Sequence, residues 1–67
     1  MFALIYSSAY TEYTVDTCES VEEAERLCKD RCGIRNPKFG QNDAGVLYTI
    51  GYGDGGIVLL SLQEVKT

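Results

Sequence analysis

The sequence predicts one α+β domain, with a four-stranded, mainly antiparallel sheet carrying a single helix on one face. Three observations lead there. Residues 21–32 alone show a helical apolar stripe, with a capping signature before it and a glycine after it. Four other segments are short runs rich in aromatic and branched residues, as strands require. These runs fall into two hairpin pairs, one on each side of the helix, giving the order β-β-α-β-β. The 67 residues are read as one domain, 1–67. A domain this small has no room for a deep cleft between lobes.

The first strand is Phe2-Ala3-Leu4-Ile5-Tyr6-Ser7, and the turn after it falls within residues 7–10. The second covers residues 13–17. Alternation puts Tyr13, Val15 and Thr17 on one face and Thr14 and Asp16 on the other. Ser20 is a natural N-cap, and Glu23 stands three residues later to complete a capping box. Val21, Ala24, Leu27, Cys28 and Cys32 make the apolar stripe. Gly33 supplies the left-handed terminator, with Ile34 beyond it to pack back on the last turn. Glu22–Arg26, Glu25–Lys29 and Arg26–Asp30 stand four apart and predict ion pairs along the helix. Residues 33–45 read as a long loop, because Pro37 and the polar and glycine content oppose a packed element. Residues 46–52 and 57–65 are two further strands, joined at Gly53-Asp54-Gly55-Gly56.

The net charge of −4 and the pI near 4.5 make nucleic acid an unfavourable partner. The charge is polarised. Glu12, Asp16, Glu19, Glu22, Glu23 and Glu25 give residues 1–25 a charge of −6 with no cation. Arg26, Lys29, Arg31, Arg35 and Lys38 against Asp30 give residues 26–38 a charge of +4. Asp43, Asp54 and Glu64 against Lys66 leave −2 for the rest. Acids leading and bases trailing match the helix dipole, but Arg35 and Lys38 lie beyond its reach. No apolar run approaches the roughly 18–20 residues of a membrane span. The opening residues have no basic flank, so they are not read as a secretory signal.

Cys18, Cys28 and Cys32 are an odd number of thiols, which fits a reducing cytosol better than a disulfide scaffold. Cys28 and Cys32 share a helix face, where regular geometry does not favour a bridge. Zinc wants four ligands, and no histidine exists to complete a set. The thiols are therefore read as buried and free, and no metal or cofactor is expected. The absence of histidine also removes the commonest general base. Glu22, Glu23 and Glu25 lie on a solvated helix face with basic neighbours. The glycine-rich stretch from Gly51 to Gly56 runs from strand to strand, whereas a phosphate loop leads into a helix. The reading is that the chain is not an enzyme.

One helix covers one side of a sheet, so the far side should be polar if it meets water. It is not. Ile57 and Leu59 oppose Val58, Leu60 and Leu62, while Tyr48, Ile50 and Tyr52 line one side of the preceding strand. A bare apolar face usually marks an interaction surface. Tyr48, Ile50, Ile57 and Leu59 are therefore expected at a homo-oligomer interface, a dimer in the simplest case. The alternative is that loop 33–45, carrying Phe39, folds over that face and closes it.

Five tyrosines without a tryptophan add rigid contact area of the kind enriched at binding hot spots. Tyr10, Glu12, Tyr13 and Asp16 predict an acidic, aromatic edge on the first hairpin, suited to a protein partner with a basic surface. The first functional reading is thus a non-enzymatic acidic binding or inhibitor protein. The second is a small-ligand or nucleotide binder. In it Tyr52 stacks a base while Arg35 and Lys38 hold a phosphate at a subunit seam.

No motif here identifies a family. The stretch Glu19-Ser20-Val21-Glu22-Glu23-Ala24-Glu25 resembles the strand-to-helix junction of HicB-type antitoxins. More loosely, the length, acidic balance and one-helix sheet resemble small phage-encoded inhibitors such as anti-CRISPR proteins. That resemblance implies a counter-defence or host-takeover role in the host cytosol, by occluding a protein, mimicking DNA or sequestering a nucleotide signal.

Overall fold

The computed structural model describes residues 1–53 and 55–65. The chain runs β1 (Phe2–Ser7), β2 (Glu12–Cys18), α1 (Val21–Cys32), β3 (Gly40–Gln41), β4 (Leu47–Gly53) and β5 (Gly56–Glu64). All strands join one antiparallel sheet in the order β2-β1-β5-β4-β3. The α+β class with a single helix stands, but the sheet has five strands rather than four. The two hairpins meet in the middle of the sheet through β1 and β5, from Phe2 opposite Glu64 to Ser7 opposite Leu59.

The extra strand lies inside the segment expected to be a loop. Asn42 organises a tight turn there. Its Oδ1 accepts from the Ala44 and Val46 amides at 2.9 and 3.0 Å, and its carbonyl accepts from the Gly45 amide at 2.9 Å. Gly45 sits in the left-handed region at φ 83°, as bulged hairpin loops require. This turn reverses the chain so that Gly40 and Gln41 pair with Tyr48 and Leu47. It also displaces Val46 from β4, which was expected to begin there.

The helix follows its sequence signals. Ser20 is extended, and its Oγ accepts from the Glu23 amide at 3.2 Å. Gly33 closes the helix at φ 69°, and the Ile34 amide folds back onto the Cys28 carbonyl at 3.2 Å. The ion pairs expected four residues apart do not close among the described residues. Arg31 instead reaches across to Asp16 on β2 at 3.6 Å. The expected facing of β2 is also corrected. The register slips between Leu4 and Ile5, so Thr14 opposes Ile5 and Asp16 opposes Leu4, leaving Val15 as the extra residue of a bulge. Directly opposed residues share a face, so Tyr13, Asp16 and Cys18 lie on the helix side and Glu12, Thr14 and Thr17 on the other.

The core fills the space between α1 and the sheet. Leu4 and Tyr6 from β1, Val58, Leu60 and Leu62 from β5, and Cys18 meet Ala24 and Cys28 of the helix. Each large aliphatic side chain buried this way contributes about 1.5–3 kcal/mol before conformational entropy is charged against it. Loop residues complete the layer: Ile34 is buried in it and Phe39 packs against its rim. The Phe39 amide donates to Glu25 Oε2 at 3.1 Å, tying the loop to the helix. The segment that was the alternative cover for the far face thus folds on the helix side.

Candidate functional site

Among the described residues nothing covers the far face of the sheet, and its β4–β5 end is apolar. Antiparallel register sets Ile50 beside Leu59 and Tyr52 beside Ile57, forming a block of four side chains. They are 55, 41, 82 and 65% exposed respectively, unusual values for large apolar residues but natural for a sheet covered on one side only. Tyr48 and Ile5 flank the block on either side of Ser61. All four residues expected at an oligomer interface therefore lie on one face. Among the described strand residues, the charged side chain on this face is Glu12, out on the edge strand β2. Val65, expected as the end of the last strand, falls after β5, where its amide donates to the Met1 carbonyl at 3.0 Å.

The acidic, aromatic edge is less compact than expected. Tyr10 occupies the β1–β2 turn at 83% exposure, where its amide bonds the Ser8 hydroxyl. Glu12 points to the bare face. Tyr13 and Asp16 point to the helix side, because the bulge at Val15 shifts the alternation. Tyr13 stacks on Tyr6 with ring centroids 5.0 Å apart, and Asp16 faces Arg31. Tyr10 and Glu12 thus remain as outward-facing groups, while Tyr13 and Asp16 also brace the fold.

The cations of residues 26–38 gather around two adjoining depressions. The first, about 390 Å³, lies between loop residues 33–36 and strand residues 50–52, with Arg35 on one wall and Tyr52 on the other. The second, about 250 Å³, is bordered by Arg26, Lys29, Arg35, Lys38 and Glu25. Arg35 and Asn36 belong to both. The sequence had grouped Arg35, Lys38 and Tyr52; Arg35 does stand between the other two. Arg26 and Lys29 were missed because spacing alone assigned them to helix ion pairs. Among the described residues, none of the four cationic side chains makes an ion pair or hydrogen bond.

The cysteines are free, with Cys18 and Cys28 buried. Burial pushes the Cys28 thiol up to about 12, helped by the neighbouring Cys32, Cys18 and Glu25. Cys18 is raised by burial and then by Glu23, Asp16 and Glu19, and Cys32 by burial. Such thiols stay protonated at neutral pH, the opposite of an activated nucleophile. Among the described residues, no three Cys, Asp or Glu side chains are grouped to hold a metal ion, and no helix is long and apolar enough to cross a membrane. No protein-family model, curated protein or solved structure gives a significant match to the chain.

Proposed function

We propose that this chain acts by binding rather than by catalysis. It works as a small acidic inhibitor-type protein in a reducing cytosol, and its apolar sheet face is closed by a second copy of itself. The observation that carries this reading is the bare block of Ile50, Tyr52, Ile57 and Leu59. A second copy is the favoured occupant because the block carries no charge, so two identical faces meet without like-charge repulsion. The rest of the chain, at −4, would disfavour self-association elsewhere. The four residues are 41–82% exposed and contiguous, the kind of apolar patch that a partner copy would bury. The dimer then presents Tyr10 and Glu12 to a basic surface on a larger protein, where charge speeds encounter and tyrosine supplies contact area.

Sedimentation velocity tests the first half. The native chain is expected at twice its 7.4 kDa mass at micromolar concentration, and Leu59→Lys at the single mass with an unchanged circular dichroism spectrum. A native chain that stays at the single mass into the millimolar range overturns the dimer. The second half is read by comparing the native chain with a Tyr10→Ala, Glu12→Lys double variant as baits in a cell extract. The reading expects a protein that is held by the native chain, released by salt and lost with the variant. Identical retention by both baits refutes it.

A further inference from the structure

Among the described residues, the four cations around the second depression make no ion pair. A helix C-terminus welcomes Lys29 through its dipole, but Arg35 and Lys38 follow the terminating Gly33 and receive no such benefit. Clustering Arg26, Lys29, Arg35 and Lys38 costs mutual repulsion, and the one carboxylate among them, Glu25, already accepts the Phe39 amide. Four of the chain's six cations border one hollow and make no ion pair among the described residues, an arrangement that offers a place for negative charge. Arginine supplies planar, forked donors that match phosphate oxygens, and lysine adds compact point charges. The adjoining hollow is of different character. Its walls include Ile34, Ile50, Gly51 and Tyr52.

From this juxtaposition we infer that the two depressions form one site for a nucleoside diphosphate. The phosphates lie among Arg26, Lys29, Arg35 and Lys38. The ring lies against Tyr52, and Arg35 and Asn36 bridge the halves. Stacking on an aromatic face tolerates any base and contributes comparably to a hydrogen bond, so the site selects for phosphate plus a planar ring rather than for one nucleobase. The site lies at the margin of the bare sheet face, and its phosphate half is separate from that face. Its phosphate half does not depend on the dimer, whereas Ile50 and Tyr52 belong to the block that the proposed dimer covers, so ring binding and dimerisation compete for them.

Isothermal titration calorimetry at low ionic strength, with ADP, inorganic pyrophosphate and a poly-glutamate peptide as probes, tests the assignment. ADP is expected to bind most tightly and pyrophosphate more weakly. An Arg35→Ala, Lys38→Ala double variant should weaken both at least tenfold. Both side chains are exposed, so this variant should keep its circular dichroism spectrum. Tyr52→Ala should bring ADP down to the affinity of pyrophosphate and leave pyrophosphate itself unchanged. The assignment is overturned if neither phosphate probe binds. It is equally overturned if the double variant binds them as well as the native chain does, or if poly-glutamate matches ADP, which would make the hollow a docking point for acidic protein segments. If Tyr52→Ala leaves ADP unaffected, the ring half of the site is refuted.

Discussion

Ile34 lies directly beneath the backbone of Gly51: a Cβ added there would stand 2.7 Å from Ile34 Cγ1 and 2.8 Å from its Cδ1. The first residue past the helix terminator thus plugs the core where β4 offers no side chain. Gly51→Ala forces Ile34 out of its seat and should destabilise the domain by about 1–3 kcal/mol, as overpacking does. Ile34→Ala removes the obstructing atoms but opens a void. The double variant should therefore lose less stability than the two single variants together, a coupling that urea unfolding reads directly.

The helix cap makes a simpler case. Ser20 Oγ is the acceptor for an amide that no intrahelical carbonyl serves. Ser20→Ala is expected to cost about 1 kcal/mol, while Ser20→Asp should be close to neutral because it keeps the acceptor. Thermal unfolding followed by circular dichroism distinguishes the two.

Ser20 and Gly33 also mark what was readable from sequence. Caps are local devices, and the helix appears between them as expected. The open face was legible for a similar reason: alternation in β4 and β5 depends only on the strand period, and Ile50, Tyr52, Ile57 and Leu59 obey it. What failed was non-local or depended on a single inserted residue. The bulge at Val15 reverses the facing of Asp16, and no residue in 13–17 announces it. The short strand β3 needed Asn42 and Gly45 to be read together as a bulged turn, a signal present in the sequence but masked by the polar loop around it. Arg26 and Lys29 gather with Arg35 and Lys38 only because the loop is tied back to Glu25 through Phe39, a link spanning fourteen positions.

Cys28 gives the protein a defined alkaline limit. In the unfolded chain the thiol titrates near 9.0, and in the folded chain at about 12. Above pH 9 the unfolded state binds fewer protons than the folded state, so unfolding becomes progressively easier until the folded thiol also ionises. Stability should be flat with respect to this group below pH 9. It should then fall by up to about 1.4 kcal/mol per pH unit between pH 9 and 12, with Cys18 and Cys32 acting in the same direction. Urea midpoints across pH 7–11 measure this. Cys28→Ala should lower the plateau, because it leaves a cavity, and flatten the alkaline decline. A native chain with no decline above pH 9 would contradict the burial of these thiols.

Tyr13 and Asp16 sit together on the helix side of β2, but they should respond very differently to substitution. Tyr13 stacks on the buried Tyr6, and such ring pairs contribute about 0.5–1.5 kcal/mol beyond their area. Tyr13→Ala should lose at least that much, whereas Tyr13→Phe keeps the stack and should stay within about 0.5 kcal/mol of the native chain. Asp16 and Arg31 meet at 3.6 Å with both side chains well exposed, so their ion pair is screened and contributes about 0–1 kcal/mol. Asp16 Oδ1 also accepts the Thr17 amide at 2.8 Å, a bond that Asp16→Asn can preserve. Asp16→Asn should therefore unfold almost like the native chain, with a salt dependence reduced by the lost pair. Thermal unfolding at low and high salt separates these cases. The ordering matters for function: a partner lost on Tyr13→Ala alone would report a weakened fold, while one lost on Tyr10→Ala or Glu12→Lys, whose side chains no core residue leans on, would report the binding edge itself.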